Sequence, residues 1–211
     1  MQALLKYYEV NGNYVWDQFL THFLISIYGV LFAAIITVPI GFYIARHTKL
    51  AGWIISLANI IQTIPSLAML SILMVLIGLG TNTVVVTVFL YSILPILKNT
   101  YTAVNNVDKN LLDVAKGLGM TNSQIRFKIE IPLSLSVIMA GIRNAIVIAI
   151  GITAVGTFIG AGGLGDIISR GINVTDGSAI IWAGALPTAL MAVICDLALS
   201  KIERNLAKRY S

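Results

Sequence analysis

Three groups of residues in this chain have the types and spacing to do chemistry. Gly160-Ala161-Gly162-Gly163-Leu164-Gly165 has the GxGxxG spacing. Between a strand and a helix, that spacing lets backbone N–H groups cradle a dinucleotide pyrophosphate. Gly163-Leu164-Gly165-Asp166, with Asp196 further on, offers two carboxylates. If they met at membrane depth, one as acid and one as base, they could hydrolyse a peptide bond there. Arg143 and Asp196 are opposite charges set in apolar runs, where each needs a partner or a wet cavity. No GxxxxGK[ST] occurs, so a phosphate-binding loop, and with it an ATPase site, is not expected on this chain. His22 and His47 are the only histidines and Cys195 the only cysteine. Neither a metal site nor an internal disulfide is expected, and no residue is read as catalytic.

Where these groups can meet depends on the elements that carry them. Of the 211 residues 57% are hydrophobic and 11% charged, against about 45–50% apolar and about 25% charged in soluble domains. Residues 18–45 carry no Asp, Glu, Lys or Arg. About 20 apolar residues cross a bilayer core as a helix, so 19–45 holds one span, with His22 near its outer end. Residues 50–97 are also free of charge. A single helix of that length would measure roughly 72 Å, so it is read as two spans, broken at the turn-forming Gly78-Leu79-Gly80-Thr81-Asn82-Thr83. A fourth apolar stretch covers 133–158, with Arg143 inside, and a fifth covers 178–195, followed by Asp196. Five spans place the termini on opposite sides.

Basic residues cluster on the cytoplasmic side of a membrane protein. With the C-terminus cytoplasmic, that side takes Arg46, Lys49, Lys98, Lys109, Lys116, Arg126, Lys128, Lys201, Arg204, Lys208 and Arg209, eleven of the 14 basic residues. The N-terminus is then outside. The net charge of +5 reflects this topology and contact with anionic lipid, and no nucleic-acid partner is expected. The N-terminal residues lack the pattern of a signal peptide. The expected divisions are an extracytoplasmic segment 1–18, a transmembrane domain 19–200 with a cytoplasmic loop at 99–132, and a cytoplasmic tail 201–211. This topology puts Asp166 outside and Asp196 near the inner face, which argues against the protease reading. It also puts the glycine run in an outer turn, with a short helix over Leu164–Ile172.

The one long cytoplasmic loop has internal order. Asp108 is an N-cap candidate, and Leu111, Leu112, Ala115 and Leu118 recur at helical spacing. Gly117 and Gly119 break that short helix, a second amphipathic stretch begins at Thr121, and Pro132 follows at the membrane entry. A short helix outside the bilayer with an exposed knob suits a groove in a partner protein.

The segment Asp113-Val114-Ala115, three residues, Gly119, nine residues, Ile129-Glu130-Ile131-Pro132 resembles the so-called EAA loop of bacterial ABC-importer permeases. That loop reads Glu-Ala-Ala, three residues, Gly, nine residues, Ile-x-Leu-Pro. The spacing agrees throughout, with Asp for Glu, Val for the first Ala and Ile for Leu. Gln62-Thr63-Ile64-Pro65-Ser66-Leu67, Leu94-Pro95-Ile96-Leu97-Lys98-Asn99-Thr100 and Phe158-Ile159-Gly160-Ala161-Gly162-Gly163-Leu164-Gly165 are similar to the glycine betaine, carnitine and choline permeases of that family. The likeness covers roughly residues 20–200. It implies an all-α membrane protein of five transmembrane helices with the type I ABC-importer permease fold, shared with the methionine-importer permeases. It further implies that Asp113, Ala115, Gly119, Ile129, Ile131 and Pro132 form the loop that docks on the ATPase. By resemblance the partners are a cytoplasmic ABC ATPase dimer that uses ATP and Mg, a second permease chain, identical or related, and an extracytoplasmic solute-binding protein. The chain itself would bind no cofactor and lie in a bacterial cell membrane. The substrate implied is a quaternary ammonium osmoprotectant. A methionine or other amino-acid permease is the alternative, and a non-transporting scaffold leaves the loop unexplained.

Polar side chains within spans are costly and need a reason. Asn59, Gln62 and Ser66 cluster around Pro65 on one helix face, and Tyr91 and Pro95 occupy the next span. They form either a kinked polar wall of a translocation pathway or hydrogen bonds that hold the bundle together. Arg143 and Asp196 sit at similar depth and are expected to pair or to share a cytoplasmic vestibule. Gly141, Ala145, Ala149, Thr153 and Thr157 make a small-residue stripe, a seam for close helix approach.

Overall fold

The computed structural model describes residues 2–210, and every regular element within them is helical. Helix α1 (Gln2–Ile44) runs 43 residues, about 65 Å at ~1.5 Å per residue. It is roughly twice as long as a ~30 Å hydrocarbon core requires. Over its described residues the segment 1–18 is helical, with a kink at Asn11 (φ −115°, ψ 15°) that divides the run into two helical pieces.

The next apolar stretch is broken more sharply than a proline kink. Helices α2 (Thr48–Thr63) and α3 (Ser66–Ile77) meet at 96°. Ile64 is extended (φ −69°, ψ 127°), because the residue before proline is pushed out of the helical region. Gly78 and Gly80 carry φ of +102° and +104°, and the turn expected at 78–83 leads into α4 (Thr81–Asn105). Among the described residues four helices are long and apolar enough to cross a membrane. A fifth span exists when the bent α2–α3 pair is counted as one.

Helix α4 continues to Asn105, through the first residues of the segment read as the loop 99–132. That segment then holds α5 (Lys109–Gly117) and α6 (Asn122–Ile125), and then a π turn over Arg126–Glu130. Helix α7 (Ile131–Val155) follows, with Pro132 in its first turn, where the missing N–H costs nothing. A 3₁₀ turn at Gly156–Ile159, α8 (Leu164–Ile172) and α9 (Ser178–Tyr210) complete the chain.

Helix α7 is central and packs on α4, α1 and α9, while α4 also packs on α1. Gly141, Ala145, Ala149 and Thr153 of the stripe are buried. A Cβ on Gly141 would stand 2.8 Å from the Pro95 carbonyl oxygen, so only glycine allows α4 and α7 to come this close. The outward face is apolar: Val75 and Trp53 are each 81% exposed and Ile35 60%. Such a surface is stable only against lipid or another apolar chain.

Candidate functional site

The candidate residues fall into three places along the bundle. The first is the knob of α5. Asp108 caps this helix, its Oδ1 accepting from Asn110 N–H at 2.9 Å. At the other end Gly119 N–H donates to Lys116 O (2.9 Å) and Met120 N–H to Ala115 O (3.1 Å), with Gly119 at φ +79°. This pair of bonds is the Schellman closure of a helix, which requires a left-handed residue at that position. Ala115 is buried at its base, whereas Val114 and Leu118 stand 59% and 78% exposed. Asp113 is exposed and pairs with Lys116 at 3.2 Å. The spacing from Ala115 to Gly119 thus has a local physical cause: the small residue seats the helix and the glycine ends it.

A reciprocal capping box at Thr121 and Gln124 then starts α6. Ile129, Ile131 and Pro132 lie half-buried where the π turn passes into α7. Between the two isoleucines Glu130 is buried and takes Arg46 Nη2 at 2.6 Å. Arg46 follows the end of α1, so this ion pair joins α1 to the base of the loop. Sequence reasoning gave Glu130 no role. Its signal was a lone carboxylate in an apolar quartet, Ile129-Glu130-Ile131-Pro132, at a membrane entry.

The second place is the corner between α2 and α3. Pro95 has no N–H, which frees the carbonyl of Tyr91 one turn earlier. Gln62 Nε2 donates to that oxygen at 3.4 Å. The Tyr91 hydroxyl in turn donates to the carbonyl of Ile64, beside Pro65. Two proline defects are thereby mended by each other's neighbours, and the corner is fixed to α4. Gln62 and Tyr91 are brought together. Ser66 is half-buried nearby, and Asn59 is exposed on α2. Gln62 also lines a cavity of about 540 Å³ with Pro95, Lys98, Asn99, Asn144 and Asp196.

Asp196 on the wall of that cavity lies 3.5 Å from Arg143 Nε, and Arg143 Nη1 lies 3.3 Å from Glu203 Oε2. Arg143 therefore sits between two carboxylates of α9. Sequence reasoning missed Glu203, two turns beyond Asp196 on the same helix. Neither contact is an aligned hydrogen bond, since Arg143 Nε and Glu203 Oε2 are buried without one.

The third place is the opposite end. Gly160, Gly162 and Gly163 all have positive φ and turn the chain into α8. Gln18 Oε1 accepts from Gly163 N–H (2.6 Å) and His22 Nδ1 from Leu164 N–H (3.2 Å). His22 is fully buried, and its Nε2 meets Ile150 O at 3.0 Å. With one nitrogen accepting, the other must donate, so the imidazole is held neutral by geometry. Asp166 accepts from the Tyr14 hydroxyl and pairs with Arg170 at 2.8 Å. Arg170 lies 4.9 Å above the Tyr14 ring, and Tyr14, then Asp166, raise its pKa above the ordinary value. Asp166 is thus committed to Tyr14 and Arg170, and Asp196 to Arg143. The two carboxylates share no partner, and the glycine run is a turn between helices with no strand before it.

The profile of the family described as binding-protein-dependent transport system inner membrane component matches residues 37–210. A carnitine transport permease protein of Listeria monocytogenes is 63% identical over 206 residues, covering 98% of this chain and 92% of that protein. A glycine betaine/carnitine/choline transport system permease protein of Bacillus subtilis is 58% identical, covering 98% and 90%. A choline transport system permease protein of the same organism is 56% identical, covering 98% and 92%. Among solved structures, the methionine ABC transporter in an inward-facing conformation superposes with a TM-score of 0.80 at 19% identity. That match covers 91% of this chain and 95% of the other.

Proposed function

The chain belongs to the family of binding-protein-dependent transport system inner membrane components, the permease subunits of ABC importers, and on that premise we propose that it carries a quaternary ammonium osmoprotectant across the bacterial cell membrane. The observation that carries the substrate is the set of relatives at 56–63% identity, each named for carnitine, choline or glycine betaine transport. The methionine transporter shares the fold at 19% identity and lends the amino-acid reading no more than that.

In this reading the chain pairs with a second permease, and a cytoplasmic ATPase pair supplies the ATP chemistry. An extracytoplasmic solute-binding protein delivers the ligand. The N-terminus lies outside and the C-terminus inside, with α5 facing the cytoplasm. The ATPase grips the exposed Val114 and Leu118 beside Asp113 and Gly119. Its movement passes through α6 and the π turn to Glu130, and from there to Arg46 on α1 and to the start of α7. The cavity lined by Gln62, Lys98, Asn99, Asn144 and Asp196 forms this chain's share of the pathway. Glycine betaine and carnitine have a carboxylate for Lys98, and all three solutes have a cationic head for Asp196, whose side chain stays 44% exposed beside Arg143; both charges remain partly hydrated there, so binding is weak enough for release.

The test is uptake of labelled glycine betaine, carnitine and choline into proteoliposomes holding the complete complex and its binding protein. ATP-dependent uptake of at least one of the three is expected. ATPase stimulation by methionine or another amino acid instead would discard the osmoprotectant substrate while keeping the permease. Uptake of all three unchanged after Lys98→Gln and Asp196→Asn would remove the cavity from the pathway.

A further inference from the structure

At the end of the bundle that carries α5, two clefts share a wall. One, of about 370 Å³, is lined by Val38, Phe42, Phe127, Leu135 and Ile138, with Arg126 at its edge. The other, of about 330 Å³, is lined by Tyr43, Arg46, His47 and again Arg126. Pro39 and Phe42 border both. The result is one continuous groove, apolar at one end and cationic at the other.

The charge at the cationic end is not cancelled within the chain. Glu130 is the nearby carboxylate, and it is sealed away (its side chain is 8% exposed) and spent on Arg46. Arg126 is exposed and makes no ion pair among the described residues. His47 donates from Nδ1 to the Tyr43 carbonyl at 2.9 Å and stacks on the Tyr43 ring, which leaves Arg126 as the cation of this end. The apolar end is open too: Phe127 is 68% exposed, and Ile40 and Tyr43 on the adjoining face of α1 are 37% and 58% exposed. That face belongs to a membrane-spanning helix, so the groove opens where acyl chains are the solvent and runs to where headgroups lie.

We propose that this groove is a binding site for an anionic phospholipid. Its phosphate sits at Arg126, and one acyl chain lies along Phe42, Leu135 and Ile138. A zwitterionic lipid brings its own cation to the phosphate and gains less from Arg126. A free phosphate would leave the apolar half uncovered. The site adjoins Glu130 and the π turn, so an occupied groove braces the base of the loop against α1.

The test uses the complete transporter complex, purified from membranes containing phosphatidylglycerol and phosphatidylcholine in equal amounts, with retained lipid counted by native mass spectrometry. The wild type should retain phosphatidylglycerol in preference. Arg126→Gln should lower that retention about fivefold, the weight of one basic side chain at an anionic surface, and Arg126→Lys should restore most of it. Lys128→Gln, exposed but outside both clefts, should leave it unchanged. Leu135→Trp fills the apolar half without touching a charge and should lower it as well; this variant decides the matter if Arg126→Gln fails to assemble. Retention unchanged in both Arg126→Gln and Leu135→Trp overturns the site, as does equal retention of the two lipids. Displacement of the lipid by millimolar inorganic phosphate would reassign the cationic end to a free anion and overturn the acyl half. If the assembled ATPase covers Arg126, the complex retains no lipid there, and the proposal fails.

Discussion

Replacing Gly119 separates backbone conformation from packing at the knob proposed to meet the ATPase. Its φ is +79°, and a Cβ built there meets no atom within 4 Å, so alanine adds no clash. What it adds is the left-handed penalty, about 1–2 kcal/mol for an L-residue. Asparagine enters this region more readily than alanine, and β-branched valine less so. The knob has little burial to absorb such a loss, since Val114 and Leu118 are exposed and Ala115 is the buried residue of α5. Its closed and frayed forms therefore lie close in free energy, and 1–2 kcal/mol shifts their ratio about 5–30-fold. Uptake by the reconstituted complex should fall in the order Gly, Asn, Ala, Val. ATPase activity and co-purification of the subunits are followed alongside, to separate lost coupling from lost assembly. Uptake by Gly119→Ala equal to wild type, or Gly119→Asn transporting less than Gly119→Ala, would refute the Schellman closure as the reason for this glycine.

The pair Arg46–Glu130 should cost about 1–3 kcal/mol when either side is cut to a neutral residue, less than a fully buried pair because Arg46 keeps partial access to water. Thermal unfolding of Arg46→Leu, Glu130→Leu and the double variant checks this. The double variant should be more stable than Glu130→Leu plus Arg46→Leu taken additively. Gln62→Leu leaves the Tyr91 carbonyl without a donor, but Pro95→Ala returns one from the backbone. A double-mutant cycle on stability should therefore show coupling, and additive losses would separate Gln62 from the proline defect. At Arg143, Asp196→Asn alone should cost little thermal stability, because Glu203 still holds the guanidinium, even though it weakens uptake. Exchanging the charges of Arg143 and Asp196 should restore transport only in part, since Glu203 would then face an acid; full restoration would remove Glu203 from the cluster.

What could be read from sequence was local in cause. The turn at 78–83, the cap at Asp108, the restart at Thr121 and the short helix Leu164–Ile172 each depend on a few adjacent residues, and the structure has all four. The 96° break at Pro65 was legible as a bend but not in size, because the Ile64 carbonyl beside it is held by Tyr91, 27 positions from Ile64. Arg46 and Glu130 are 84 positions apart and belong to segments read separately. Glu203 was read as part of a polar tail, yet α9 runs on through it without interruption. His22 was read as a residue near the outer end of a span. Its role depends on Ile150 and Leu164, which no local pattern ties to it.

The two ends of α1 are held by unlike forces, and this has a mechanical consequence. At the α8 end Gln18 and His22 bond backbone groups of α7 and α8, and Ser26 meets Thr153 at 2.9 Å. These bonds are short, directional and mostly buried, so α1, α7 and α8 move there as one body. Among the described residues the polar link at the α5 end between α1 and the start of α7 is the ion pair Arg46–Glu130, flanked by open clefts. Between α7 and α9 it is Arg143 with two carboxylates at 3.3–3.5 Å and no aligned hydrogen bond. Ion pairs of this kind are weakly directional and yield over a wider range than a capped helix terminus. A pull on α5 is therefore expected to spread the α5 end first, with the α8 end as the fulcrum. The cavity of Gln62, Lys98 and Asp196 lies between helices whose inner contacts are the yielding ones, which is where a passage would have to open.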